Sequence, residues 1–293
     1  MTILTAIENY LINSHATKSI KTYLWEEKTF RSFKFFCNKH NVQEMEHLDK
    51  HVLLDYIGFE KERHLMNSTL NKKIKLIKRL FVYNSIKSDI TNVKTLREKK
   101  HTVDRLSDDE LKILFQYLNN LDLEIGNNYI YKTLYYFLFD TGVRIDESLH
   151  IKKENINFEK KIILLDITKF SKERIIDFST RLEPMLKKCF ELSKGIYLFW
   201  NIMKNRKLDY DSDVQYFYHK IKKETKCAKL TAHRLRHTFA SISAQNGMNI
   251  LSLKEILGHD NLRTTQKYLH ANRKKTKSDF ESYSPLNNND IDL

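Results

Sequence analysis

At 293 residues and 41% hydrophobic content, the chain has room for one large domain or two ordinary ones with sizeable cores. No apolar run is long enough to span a bilayer, and "MTILTAIENYLINSH" lacks the basic start and small-residue cleavage site of a secretory signal, so a cytoplasmic protein without a membrane partner is expected. Lys and Arg number 51 against 37 Asp and Glu, a formal net charge of +14; this is the electrostatic footprint of a nucleic-acid binder, or else a Lys-rich composition bias. Gly 6 and Pro 2 are far below average usage, which favours a helical protein. Cys37, Cys189 and Cys227 are odd in number and widely spaced. They form neither a metal pattern nor a disulfide framework and are read as reduced thiols, at least two of them buried.

The first elements in chain order are helices. "TKSIKTYLWEEKTFRSFKFFCNKHN" has Thr17 as a candidate N-cap, and Ile20, Leu24, Phe30, Phe33, Phe36 and Cys37 recur at helical spacing. "LDKHVLLDYIGFEKERH" is a second, capped by Asp49. In a third, "NSTLNKKIKLIKRLFVYNSI", Leu70, Ile74, Ile77 and Phe81 form one stripe and Lys72, Lys75 and Arg79 another. That basic stripe is either a solvated face or a helix surface laid against phosphates. "KSDITNVKTLREKKHTVDRLS" is polar and basic and lacks periodicity. It reads as a linker, 91–106, after a helical domain 1–90. Ser107-Asp108-Asp109-Glu110 is a capping box, which starts a second domain at 107.

That domain opens with helical segments near 108–121 and 127–140. "KKIILLDITKF" and "ERIIDFS" are β-branched runs around the polar "SKE" and predict a hairpin, with a further strand near Leu149–Lys152. Helical patterns return at 182–193, 211–225, 233–246, 250–257 and 262–270. The expected architecture is mainly α, with one small antiparallel sheet on the flank of the second domain.

Several charged residues stand in unusual company. Arg144 follows the apolar "LYYFLFDTG", where Gly142 lets the chain turn; its candidate partners are Asp140, Asp146 and Glu147. His233 and Arg236 are three apart and share a helix face, as a cap and a surface cation or as ligands for an anion. Gly258 sits where a left-handed residue ends a helix, so His259 projects from a rigid turn. Tyr268 follows nine residues later. Together these groups suit attack on a phosphodiester. Arginine forks match phosphate oxygens in pairs and keep their proton. A phenol can form a covalent ester if cations or a base oppose its high pKa, and a lysine or histidine can protonate the leaving sugar oxygen. No carboxylate pair with metal-ligand spacing stands out, nor any glycine-rich phosphate loop ending in Lys-Ser or Lys-Thr. That argues against metal-dependent nucleases and ATPases.

Read in order, "TGVRIDESL", "TKFSKERIIDF", "TAHRLRHTFAS" and "ILGHDNLRTTQKYLH" resemble the motifs of the tyrosine recombinase, or phage integrase, family, roughly from Thr141 to His270. The most specific part is the His-x-x-Arg-His segment followed by Gly-His and a tyrosine. The N-terminal helices resemble that family's core-binding domain more loosely. The resemblance implies a catalytic domain at 107–270 and a tail at 271–293. It implies that Arg144 and Arg236 bind the scissile phosphate and that Glu147 orients Arg144. By the same resemblance Lys169 protonates the departing 5′ oxygen, His233 and His259 fill the two histidine positions, and Tyr268 is the nucleophile of a 3′-phosphotyrosine bond. His237 and Thr238 match supporting companions. One departure is Thr168-Lys169-Phe170-Ser171-Lys172, where the family often has Gly-Lys-Gly before a second lysine; Lys169 is preferred for the catalytic role, with Lys172 among the DNA contacts.

The implied activity is site-specific strand exchange, with neither metal nor cofactor because one ester replaces another. The implied partners are double-stranded DNA carrying inverted-repeat sites, gripped in a C-shaped clamp, and three further copies in a homo-tetramer that passes through a Holliday junction. A host accessory or regulatory protein is a further candidate, and the location is nucleoid-associated. The tail is either frayed or a short helix donated to a neighbouring protomer through Phe280, Tyr283 and Leu286. With two domains using the whole chain, no arm-site module is expected. That favours an Xer-type resolvase of chromosome dimers or a small mobile-element recombinase. The alternatives are a type IB topoisomerase-like relaxing enzyme and a catalytically idle DNA-binding protein.

Overall fold

Small polar side chains open several of the described helices. In the computed structural model, which describes residues 1–98, 105–166, 173–259 and 261–266, Thr2, Ser19 and Asp49 each accept a backbone N–H at the start of α1 (Ile3–Thr17), α2 (Ile20–Lys39) and α3 (Lys50–Glu62). The chain divides into two compact units, Met1–Lys100 and His101–Leu293. Among the described residues no helix is long and apolar enough to cross a membrane.

The first unit is helical, closed by α4 (Asn67–Tyr83). Phe30, Phe33 and Phe36 of α2, Tyr56 of α3 and Leu70, Ile74, Ile77 and Phe81 of α4 form its core. Three expectations change here. The cap of α2 is Ser19 rather than Thr17, because Lys18 is extended and ends α1 first; Ile20 and Leu24 are then exposed. The helix α1 has no counterpart among the expected elements, although Ile3, Ile7 and Tyr10 bury one face of it. Residues 91–96 are not linker: Val93 is buried, Leu96 packs on the same core, and the Asn71 side chain bonds both the N–H and the C=O of Leu96. Two apolar side chains and the Asn71 bonds hold this basic stretch down.

Two fully buried carboxylates brace this unit. Glu26 on α2 accepts from Lys18 Nζ at 2.8 Å and from Arg79 at 3.3 Å. Glu60 on α3 accepts from Lys73 Nζ at 2.7 Å and the Tyr56 hydroxyl at 2.8 Å. The basic stripe of α4 therefore divides. Lys72 and Lys75 are exposed, whereas Arg79 spends part of its guanidinium on Glu26.

In the second unit the capping box forms as expected at α5 (Asp108–Asn119). The Ser107 hydroxyl accepts from the Glu110 N–H, and Glu110 accepts from the Ser107 N–H at 2.8 Å. The core helix is α6 (Asn128–Thr141), whose Ile130, Leu134, Tyr135, Phe137 and Leu138 are buried. A short α7 (Ile145–Ser148) follows. The sheet orders β1 (Ile156–Asn157), β2 (Ile162–Leu165) and β3 (Arg174–Asp177), antiparallel, with Ile163 opposite Ile176 and Leu165 opposite Arg174. The first strand is thus at Ile156–Asn157, not Leu149–Lys152. Leu149 and Ile151 enter the core, and Lys152 makes only an isolated bridge to Tyr197. After α8 (Glu183–Leu192), a second small hairpin that the sequence reading lacks pairs β4 (Trp200–Asn201) with β5 (Arg206–Lys207). A π-helical turn at Tyr210–Val214 leads into α9 (Gln215–Thr225). The last elements are α10 (Ala232–Gln245), which packs along α6, then α11 (Ile250–Leu257) and α12 (Leu262–Gln266).

Replacing Ser107 by Ala removes one acceptor at an exposed helix start. It should lower stability by about 1 kcal/mol, read as a lower urea midpoint with an unchanged slope.

Candidate functional site: two arginines on two left-handed turns

The site forms where two helices end in left-handed glycines. Gly142 closes α6 with φ 63°, and Gly258 closes α11 with φ 60°. No side chain fits at Gly142 in any case, since an added Cβ would lie 2.2 Å from the Phe239 ring of α10. A helix end leaves carbonyls without intrahelical donors, at the negative end of the helix dipole. Here two arginines supply the donors. Arg236, on α10 and 5% exposed, gives Nη1 to Gly142 O at 2.7 Å and Nη2 to Leu257 O at 2.6 Å. Arg144, at the start of α7, gives Nη2 to Gly258 O at 3.1 Å. Each guanidinium is thus tied to the turn that ends a helix other than its own.

Glu147, the carboxylate that the family resemblance implied among three candidates, is Arg144's partner. Its Oε1 accepts from Arg144 Nη1 at 2.9 Å and its Oε2 from the Arg144 N–H at 3.1 Å. A second fork from Arg174 of β3 meets the same carboxylate at 3.1 and 2.8 Å, and its Nε donates to Ile256 O at 3.3 Å. Burial alone would raise the Glu147 carboxyl. The hydrogen bond and charge of Arg174, then those of Arg144, outweigh it and hold the group down at about 2.

Sequence reasoning missed Arg174, although a signal was present. Residues 174, 176 and 178 share strand parity; Ile176 and Phe178 are core, while Ile175 is exposed. A charge at a core-facing strand position needs a buried counter-charge.

His259 follows Gly258, and its Nε2 lies 3.0 Å from Arg236 Nη2. A guanidinium only donates, so Nε2 accepts and the ring proton sits on Nδ1, 2.9 Å from the Thr265 hydroxyl. His233, exposed on the first turn of α10, lies with Nε2 2.9 Å from Nε2 of His237, one turn on. One of that pair must be a neutral acceptor. Thr238 ties α10 to the start of the unit by accepting the Leu106 N–H at 2.9 Å. The structure therefore gathers Arg144, Glu147, Arg236 and His259 around two turns, with His233 and His237 on the helix that carries Arg236. Lys169, Lys172 and Tyr268 lie outside the described residues.

With this geometry in view, the chain belongs to the phage integrase family, whose sequence model matches residues 104–275. It is 28% identical to a probable integrase/recombinase of Acholeplasma phage L2, over 88% of this chain and 94% of that protein. It is 26% identical to tyrosine recombinase XerA of Pyrococcus horikoshii, over 92% and 94%. In structure it resembles the Tn1549 transposon integrase in complex with circular intermediate DNA, with TM-score 0.80, 18% identity and coverage of 96% of this chain and 99% of that one. It also resembles the XerH site-specific recombinase bound to palindromic difH substrate, with TM-score 0.72, 20% identity and coverage of 94% and 83%. The mainly helical architecture with small antiparallel sheets is the fold of these proteins.

Two outcomes follow from the geometry. Gly142→Ala forces a left-handed alanine into the Phe239 ring and should cost at least about 1 kcal/mol from the backbone alone, lowering the thermal midpoint. The depressed Glu147 pKa adds stability that is full above the unfolded carboxyl's value near 4.5 and is lost as pH falls towards 2. The whole effect is on the order of 3 kcal/mol. Urea titrations between pH 5 and 3 should show this slope, and Glu147→Gln should flatten it.

Proposed function

We infer that this chain is a site-specific recombinase that cleaves and rejoins duplex DNA through a phosphotyrosine intermediate. The observation that carries this reading is the pair of fixed guanidiniums, Arg144 and Arg236, set beside His259 in a member of this family. A phosphodiester brings one negative charge, and its pentacoordinate transition state gathers more on the non-bridging oxygens. Donors already fixed before the reaction stabilise that added charge without reorganising, an effect of about 3 kcal/mol per donor.

In the proposed step, the Tyr268 phenolate oxygen attacks phosphorus and the bond to the 5′ oxygen breaks. Lys169 gives that oxygen its proton, with Lys172 nearby on the DNA. The product is a 3′-phosphotyrosine and a free 5′ hydroxyl. A 5′ hydroxyl from a partner duplex reverses the step, so the bond energy is conserved and no ATP is consumed. His233, supported by His237, is assigned to proton transfer at the nucleophile, and His259 to a non-bridging oxygen. Lys72, Lys75 and the outer part of Arg79 are assigned to the DNA backbone, where they set affinity and its salt dependence.

The proposed assembly is a homo-tetramer on two synapsed inverted-repeat sites, passing through a Holliday junction in the cytoplasm. The tail, through Phe280, Tyr283 and Leu286, is assigned to contact between neighbouring protomers.

The test uses a nicked duplex carrying the site recovered by sequencing DNA bound to the protein. The wild-type chain should accumulate a covalent protein–DNA adduct, and Tyr268→Phe should form none. Absence of an adduct with every recovered site would leave an idle DNA-binding protein. Relaxation of supercoils without transfer between duplexes would indicate a topoisomerase. Truncation after Ala271 should leave single-site cleavage intact and abolish synapsis, seen as loss of the slow-migrating complex of two duplexes.

A further inference from the structure

We propose that Arg174 is a positioning residue for strand cleavage: it takes up the charge of Glu147, so that Arg144 is oriented by that carboxylate without being neutralised by it. The proposal rests on the reading of Arg144 as a phosphate-binding group.

A single Arg144–Glu147 pair would hold Arg144 in place but carry no net charge, leaving Arg236 alone to meet the anion. Adding Arg174 changes that sum. The three groups together carry one positive charge, and the carboxylate already accepts a bond from each arginine on each oxygen. The two cations differ in access. The Arg174 side chain is 9% exposed, whereas that of Arg144 is 33% exposed. The surplus charge is therefore presented to solvent through Arg144.

Arg174 also fixes the geometry of a second part of the site. Its Nε holds Ile256 O, in the last turn of α11, and its guanidinium packs under the turn that follows: an added Cβ at Gly258 would lie 2.8 Å from Arg174 Cζ. That turn supplies the carbonyl that holds Arg144, and His259 is the next residue. One side chain on β3 thus joins Arg144's own bond to Gly258 O in fixing α7 against the end of α11. A hydrophobic residue would pack in the same space without doing either, and a lysine would keep the charge but lose the fork.

Adduct formation is measured under single turnover on the nicked duplex above, alongside equilibrium affinity for the intact site. Arg174→Gln should slow cleavage about 100-fold, with affinity within about threefold because backbone contacts elsewhere dominate binding. Arg174→Lys should recover about tenfold of that loss through its charge. The double variant Glu147→Gln/Arg174→Gln leaves no buried charge unpaired. It should be no slower than Arg174→Gln alone, since both act through one carboxylate. Wild-type cleavage by Arg174→Gln overturns the proposal, as does a rate loss matched by equal loss of affinity or of folded protein. If Arg174→Gln does not fold, Arg174→Lys replaces it: cleavage about tenfold slower at unchanged affinity is expected, and wild-type cleavage by that protein overturns the proposal equally. If the wild-type chain itself forms no adduct, it is the recombinase reading that fails.

Discussion

A guanidinium keeps its proton at any physiological pH, so a protein controls it only by where its N–H groups point. Here that control comes from helix ends. The carbonyls of Gly142, Leu257 and Gly258 have no donors of their own helices, because left-handed glycines stop α6 and α11 at those points. Arginines from α10 and from the start of α7 fill the vacancies. The dipoles of both ended helices favour the cations, and Arg236 bonds the carbonyls of both turns at once. The rest of the second unit serves this arrangement. Buried α6 fixes one turn, α10 packed along it carries Arg236, and the sheet brings Arg174 to the far side of Glu147.

Much of this was legible in the amino-acid order because the relevant signals are local. Capping at Asp49 and Ser107, the hairpin around β2 and β3, the turn at Gly142 and the left-handed role of Gly258 each depend on a few neighbouring residues. Helical periodicity placed α4 and its buried stripe. The misreadings share a different cause. The strand β1 is two residues long, as are β4 and β5, so none spans enough alternation to show a period. The fold of 91–96 onto the first unit depends on Asn71, far away in sequence. Arg174 was visible only as a charge of the wrong parity in a strand, and its meaning required knowing that Glu147 lay opposite.

Composition also misleads in one respect. The net charge of +14 suggests a broad basic surface, yet several of the cations behind it are held by buried carboxylates. Lys18, Lys73 and part of Arg79 are tied to Glu26 and Glu60 in the first unit, and Arg174 is tied to Glu147 in the second. Buried carboxylates of this kind are costly unless fully paired, and breaking either partner is worse than never having had them. The cations left for phosphates are fewer than a count of lysines and arginines implies.

The hydrogen-bond chain from Arg236 through His259 to Thr265 has a further consequence. It assigns the imidazole a tautomer: the lone pair faces the guanidinium, and the proton faces the hydroxyl on α12. One nitrogen cannot at the same moment accept from a guanidinium and donate to an oxyanion. Any anion that engages His259 at Nε2 must first displace Arg236 from that lone pair and draw a proton onto it. Thr265 fits either arrangement, because a hydroxyl can accept from Nδ1–H or donate to a bare Nδ1, so the switch of His259 from Arg236 to an anion amounts to a change of tautomer.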